Sequence, residues 1–126
     1  MFPRRNKFNA AKSRCSQDHI HDSGAEARRC DYLHLAQRAG ESVYGGHIER
    51  IESQPRLALV VNGVTIQHYK PDFGIAVRRG TKEIIVHEDV KGWIQKDFVR
   101  TRKLYDALHD EPLRVVKEKG RGWVEV

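Results

Sequence analysis

The chain has 126 residues, 32% of them charged, and a formal net charge of +6 at pH 7. This length fits one domain with a modest core, and no stretch approaches the roughly 18 consecutive apolar residues that indicate a membrane span. The basic N-terminus also lacks the apolar run of a signal peptide, so we expect a soluble, cytoplasmic protein. The positive charge indicates a polyanionic partner, or simply a basic surface.

Basic residues cluster at the start of the chain. Arg4, Arg5 and Lys7 fall within residues 1–11, which we predict to be a flexible basic arm. Residues 12–126 are predicted to form a single domain.

Two cysteines and two histidines follow this arm. They have the spacing Cys-x3-His-x-His-x8-Cys, formed by Cys15, His19, His21 and Cys30. Zinc prefers thiolate and imidazole ligands, but this spacing matches no standard structural zinc site. Cys30 also falls within a predicted helix. We therefore expect two reduced, unpaired thiols rather than a zinc centre.

A short hairpin about Gln17-Asp18 and then a helix are predicted next. Ser23 supplies N-cap chemistry, and Glu26 follows it at the spacing of a capping box. The helix is predicted over residues 24–38 and ends at Gly40.

A strand at 48–51 and a hairpin come after the helix. Asn62-Gly63 lies between two apolar runs and predicts a type I′ turn. With that turn, Leu59 is expected to pair with Ile66.

A second hairpin is centred on Gly80-Thr81, between the Ile- and Val-rich runs 72–79 and 82–89. Glycine at the first central position is typical of a type II′ turn, and that turn places Asp72 directly opposite Asp89. On the same face Gly74 lies opposite His87, which leaves room for a metal ion or a phosphate. His87 itself either contacts a phosphate or faces solvent.

The two aspartates are the most informative pair in the chain. Carboxylates directly opposite each other, with Cβ atoms about 4.5–5.5 Å apart, repel and destabilise a sheet. A chain retains such a pair when a cation lies between the two carboxylates. The alternative is two exposed carboxylates, each in an ion pair with a nearby Lys or Arg. Strand alternation places Lys91 on the same face as Asp89. Two acids and a lysine at one end of a hairpin predict a hydrolytic metal site.

A second helix is predicted over residues 95–109. Three cations recur on it at i, i+4 and i+7, and so share a face: Lys96, Arg100 and Lys103. This face either is simply solvated or binds a phosphate backbone. Trp93 and Trp123 are expected to pack in the core or on a hairpin rather than to stack on bases.

The order of helix, strand meander, helix and closing strands predicts an α+β fold in which helices flank a central mixed β-sheet. Several features follow one another along the chain: a helix with a glutamate, strands ending in Pro71-Asp72 and Asp89-Val90-Lys91, and a basic helix followed by a strand. Together they resemble the core of PD-(D/E)xK nucleases. This is the restriction-endonuclease-like fold.

The likeness spans residues 7–117 and is closer to one group within that class. Five segments resemble small phage and prophage proteins long catalogued as a domain of unknown function and suspected of acting on recombination or replication intermediates: Lys7-Phe8-Asn9, Asp22-Ser23-Gly24-Ala25-Glu26-Ala27, Gln54-Pro55, Tyr69-Lys70-Pro71-Asp72-Phe73 and Glu88-Asp89-Val90-Lys91-Gly92. One position departs from the pattern, because the family often has a lysine where this chain has Thr101.

The resemblance implies a role for each matching residue. Asp72 and Asp89 would hold Mg²⁺ or Mn²⁺ with the backbone carbonyl of Val90. Glu26 would complete the metal sphere, or would serve only as the acid of the capping box. Lys91 would orient or deprotonate the attacking water and stabilise charge on the scissile phosphate. Gln54 would position Lys91 or a phosphate.

The implied activity is that of a metal-dependent DNA endonuclease that selects its substrate by DNA structure and acts in the cytoplasm of a bacterial host. A homodimer is expected, since a chain this small would need two copies to cut both strands. The expected phosphate contacts are Arg4, Arg5, Lys7, Lys96, Arg100 and Lys103. One alternative is a non-catalytic DNA-binding or regulatory module on the same fold. Another is an RNA-directed nuclease.

Overall fold

A computed structural model of the protein describes residues 12–126. The chain divides into two compact units, of which the first ends at Glu41 and the second runs from Ser42 to Val126. Residues 1–11, predicted as a flexible basic arm, lie outside the described residues, and the single domain over 12–126 stays a prediction. No helix in the described part of the chain is both long enough and apolar enough to span a membrane.

The first unit contains a small hairpin and a helix. Strands β1 (Ser13–Arg14) and β2 (Ile20–His21) pair in antiparallel orientation, and helix α1 follows over Gly24–Ala39. Ser23 is the N-cap, and its Oγ accepts a hydrogen bond of 3.2 Å from the backbone N–H of Glu26. These elements confirm the predicted hairpin, cap and helix.

The second unit contains eight strands and one helix. In chain order they are β3 (Ser42–Val43), β4 (Gly46–Ser53), β5 (Leu57–Val61), β6 (Val64–Tyr69), β7 (Phe73–Arg79), β8 (Lys82–Val90), α2 (Lys96–Leu108), β9 (Arg114–Lys119) and β10 (Gly122–Glu125). Six strands form one sheet in the order β10-β9-β8-β7-β4-β3, and within residues 12–126 β5 pairs only with β6. In the sheet β8 and β9 are parallel and the other neighbours are antiparallel. The predicted α+β class with a central mixed sheet is confirmed.

The hairpin of β7 and β8 has the predicted register. Phe73 lies opposite Glu88, and the pairing continues without a shift to Arg79 opposite Lys82. Gly80 has φ of +62°, while Thr81 is not among the residues with positive φ, as a type II′ turn requires. One face of the hairpin carries fully buried apolar side chains, among them Ile75, Val77 and Val86.

The ribbon of β5 and β6 has the predicted turn but a different register. Asn62 and Gly63 both have positive φ, as a type I′ turn requires. However, a β-bulge between Leu59 and Val60 makes Leu59 pair with Gln67, so the predicted pairing with Ile66 is wrong. The extra residue turns Leu59 into the interior, where it is fully buried, while Ile66 stays 57% exposed.

The ribbon packs against α2 rather than joining the sheet. The buried cluster at this contact consists of Leu59, Phe98, Tyr105, Leu113 and Val115. Thr101 is also buried, and its Oγ1 accepts a 2.7 Å hydrogen bond from Gln67 Nε2. Thr101, where the family that this chain resembles often has a lysine, therefore joins α2 to the ribbon.

Candidate functional site

Two aspartates meet where β7 begins and β8 ends. The backbone N–H of Asp72 donates to Asp89 Oδ1 over 3.0 Å, and the N–H of Val90 donates to Asp72 Oδ2 over 2.8 Å. Each carboxylate therefore accepts a hydrogen bond from the backbone of the other's strand. These reciprocal bonds hold the two acids, called here the acid pair, side by side.

Asp89 is the buried member of the acid pair, with only 2% of its surface exposed. The hydroxyl of Tyr69 donates a hydrogen bond to its Oδ2. Within the described residues, Asp89 forms no ion pair with a lysine or an arginine. A buried carboxylate without a positive partner is costly, so this environment favours a bound cation.

Tyr69 is a site residue that the sequence interpretation missed. Burial, followed by the charges of Asp89 and Asp72, raises the pKa of its hydroxyl far above the ordinary value. The phenol therefore stays protonated and remains a hydrogen-bond donor to Asp89. The available signal was its position, because it ends the Asn-Gly hairpin three residues before Asp72.

Lys91 and Gln54 are held near the acid pair by their backbones. The N–H of Lys91 donates to the carbonyl of Val116 over 2.9 Å, and its Nζ lies 4.5 Å from the centre of the Phe98 ring. The N–H of Gln54 donates to the carbonyl of Asp72 over 2.9 Å. Gln54 also has φ of 50°, a left-handed conformation that is costly for a residue with a side chain.

The other predicted site residues have different positions. Glu26 lies on α1 in the first unit, where its N–H forms part of the helix cap. Its role as a metal ligand, like that of the Val90 carbonyl, stays a prediction. Three of the predicted phosphate contacts lie outside the described residues: Arg4, Arg5 and Lys7.

Gly74 lies opposite His87, as predicted. A Cβ atom at Gly74 would lie 3.2 Å from Cγ of Pro55, so the space above this glycine is used for proline packing rather than left open. His87 is half-buried, and its Nδ1 lies 2.7 Å from the hydroxyl of Tyr105. Burial and then the neighbouring His109 lower the pKa of His87, so its imidazole is held in the neutral form at pH 7.

Helix α2 presents an exposed cationic face formed by Lys96, Arg100 and Lys103. In the described part of the chain none of the three belongs to an ion pair. Trp93 precedes this helix and is 66% exposed, so the prediction that it packs in the core is wrong for this residue. It lies in the loop between β8 and α2, where no strand or helix periodicity directs it inward.

A separate cluster lies within the first unit. Cys15, His19, His21 and Cys30 each offer a ligand atom, and these four atoms lie within 4.8 Å of one another. Both cysteines are buried and neither forms a disulfide, as expected. Burial, and then a hydrogen bond with Cys15, raises the pKa of the Cys30 thiol to about 12. The thiols are unpaired but not isolated, because the hairpin brings two imidazoles to them.

These features define an α+β protein with a paired-acid site at the ends of two central strands of a mixed sheet. A model of the family described as "Protein of unknown function (DUF1064)" matches residues 5–119, and the chain belongs to that family. No curated protein and no solved structure matches the chain.

Proposed function

We propose that the protein is a Mg²⁺- or Mn²⁺-dependent DNA endonuclease with a restriction-endonuclease-like core. The observation that carries this proposal is the contact between Asp72 and Asp89, with Lys91 two residues beyond Asp89. The element order adds support. An antiparallel series of β4, β7 and β8 is followed by α2 and a parallel strand β9, which is the order expected for that core.

The acid pair fits a hard divalent cation. Such ions prefer oxygen ligands, and each carboxylate oxygen can accept more than one interaction. The two hydrogen bonds that Asp89 accepts therefore leave its oxygens able to bind a cation as well. When bound, Mg²⁺ or Mn²⁺ supplies Lewis-acid polarisation of the phosphate and a lower pKa for a bound water.

The surrounding residues have separate roles in this proposal. Tyr69 fixes the orientation of the Asp89 carboxylate through its hydroxyl. Phe98 restrains the Lys91 side chain by packing under its ammonium group. Lys91 donates its N–H groups to phosphate oxygens, on which negative charge grows during hydrolysis.

The substrate in this proposal is DNA, recognised through its phosphates and its shape. The cationic face of α2 would contact the backbone, and such contacts carry no base specificity. A branched substrate, a homodimer that cuts both strands, and action in a bacterial cytoplasm on behalf of a phage or prophage all belong to the same proposal.

A cleavage panel tests the proposal directly. Labelled four-way junctions, flaps, single strands and duplexes, each as DNA and as RNA, are incubated with Mg²⁺, Mn²⁺ or a chelator. We expect metal-dependent cleavage of branched DNA. Asp72→Asn and Lys91→Met should each lower kcat by about 10²- to 10³-fold, the usual cost of removing one charge-stabilising group.

Matched controls come from the far end of the same hairpin. Glu83→Gln and Lys82→Met remove an exposed acid and an exposed lysine of β8, and both should cleave like the wild type. Wild-type rates in Asp72→Asn would contradict the assignment of the site. Metal-independent DNA binding with no cleavage of any substrate would instead support the non-catalytic module, and preferential cleavage of the RNA panel would support the RNA nuclease.

A further inference from the structure

We propose that Cys15, His19, His21 and Cys30 form a tetrahedral Zn²⁺ site that joins the β1–β2 hairpin to α1. The site lies within the first unit and uses none of the residues of the acid pair. Among residues 12–126 the cluster contains two thiols and two imidazoles and no fifth group, and such a closed set is typical of structural rather than catalytic zinc.

The distances fit a zinc ion. The four ligand atoms lie within 4.8 Å of one another, and Cys30 Sγ lies 3.6 Å from His19 Nδ1. In a tetrahedral site with Zn–S of about 2.3 Å and Zn–N of about 2.0–2.1 Å, the sulfur and nitrogen atoms are separated by about 3.6 Å. The observed sulfur–nitrogen distance matches this separation, and the longest separations in the cluster, up to 4.8 Å, would shorten by about 1 Å on binding the ion.

The hairpin turn brings its ligands together through the backbone. Cys15 N–H donates to the carbonyl of His19 over 2.9 Å, and Asp18 N–H donates to the carbonyl of Cys15 over 3.0 Å. Asp18 has φ of 65°, which allows the chain to reverse here. His21 follows on β2, with only 3% of its surface exposed.

The fourth ligand comes from the helix, and other contacts hold it in place. Ser16 N–H donates to Asp31 Oδ1 over 2.7 Å, which joins the turn to the residue after Cys30. His34 Nδ1 lies 2.9 Å from the Cys30 carbonyl and 3.5 Å from Cys30 Sγ. Because a carbonyl only accepts, His34 Nδ1 carries a proton and donates toward the sulfur. Such a donor orients and stabilises a metal-bound thiolate.

A zinc ion also accounts for the composition of this unit. Among the described residues of this unit the buried apolar side chains are few, and besides the two cysteines they are Ala27, Leu33 and Ala36. A segment of this size rarely builds enough core to stabilise itself, and metal ligation is a common substitute. Soft sulfur ligands select zinc over Mg²⁺, so the two metal sites of this chain would not compete for the same ion.

Metal content is the first test. Protein purified without chelator in reducing buffer should contain one zinc per chain by mass spectrometry. The double variant Cys15→Ser/Cys30→Ser should retain less than about a tenth of that zinc, since soft thiolate ligands would be lost. His47→Ala, which removes an exposed histidine of the second unit, and Asp72→Asn should both keep the full content.

Cobalt substitution keeps the test decisive if the double variant fails to fold. Wild-type protein stripped of zinc and titrated with Co²⁺ should show the visible absorption of tetrahedral cobalt and a sulfur-to-cobalt charge-transfer band, both saturating at one equivalent. Chelation should remove hydrogen-exchange protection from α1 while protection in β7 and β8 persists. A wild-type chain that binds neither zinc nor tetrahedral cobalt would overturn the proposal, as would loss of the zinc in Asp72→Asn.

Discussion

Replacing Asp89 by asparagine should raise the stability of the metal-free protein and weaken its stabilisation by metal. The side chain of Asp89 accepts from the Asp72 N–H at Oδ1 and from the Tyr69 hydroxyl at Oδ2. An asparagine keeps the first bond with its oxygen and can donate its amide N–H to the Tyr69 oxygen, because a phenol hydroxyl both donates and accepts. The substitution therefore removes a negative charge without removing a hydrogen bond.

The expected magnitude follows from the repulsion within the acid pair. Two like charges about 5 Å apart repel by about 1 kcal/mol at the dielectric constant of water and by about 3 kcal/mol at an effective value of 20. Asp89→Asn should therefore raise the free energy of unfolding by about 1–3 kcal/mol in chelator. Wild-type protein should instead gain about 1.4 kcal/mol when the metal concentration is ten times its dissociation constant.

Urea unfolding measures both quantities. Trp93 and Trp123 lie in the same unit as the acid pair, so their fluorescence reports its unfolding. Titrations in chelator and in Mg²⁺ give the free energy of unfolding of each variant, and Glu83→Gln is the control for removing a charge from the same strand. The reasoning is refuted if Asp89→Asn is less stable than wild type in chelator, or if Mg²⁺ stabilises both proteins equally.

Three further expectations concern the surface and the ion pairs. Replacing all three cations of the cationic face of α2 by alanine should weaken DNA binding and lower the slope of log affinity against log salt by up to about 2.7, measured by fluorescence anisotropy; an unchanged slope would exclude phosphate contacts there. Trp93→Ala should weaken binding of single-stranded or branched DNA by about tenfold if an exposed ring stacks on bases, whereas equal affinity would remove it from the interface. Hydrogen bonds from Arg79 and Arg114 lower the pKa of Glu111, so Glu111→Gln should cost about 1–2 kcal/mol at pH 7. That cost should shrink as the pH falls below 4.5 and through the lowered pKa, because the wild-type carboxylate then becomes protonated; a cost independent of pH in chemical denaturation would contradict the ion-pair explanation.

The adjacency of Asp72 and Asp89 could be predicted because it depends on local rules. A glycine at a turn position and alternating apolar residues fix the register of one hairpin, and the register then fixes which residues face each other. The same reasoning gave the wrong pairing beyond Val60, because a β-bulge has no clear signature in the turn. Sequence alone also did not indicate that this ribbon packs on α2 instead of extending the sheet.

Residues that act through tertiary contacts were harder to predict. Tyr69 reaches Asp89 only because the ribbon ends beside the hairpin, and its spacing in the chain carries no metal or acid motif. The spacing of the four Cys and His residues did not predict that they form a cluster, because they come from a turn, a strand and a helix that approach only after folding. Metal-ligand motifs describe residues close together in one loop, so they do not detect a cluster whose residues come from several elements.

The tight turn at Gly80-Thr81 has a practical consequence for experiments on single molecules. The tip at Gly80-Thr81 is separated from Asp72 by the full length of β7, about 23 Å at 3.3 Å per residue. A fluorophore or surface tether attached at Thr81, which is exposed, should therefore leave an approaching nucleic acid unobstructed. Immobilised molecules could then report individual binding events in real time.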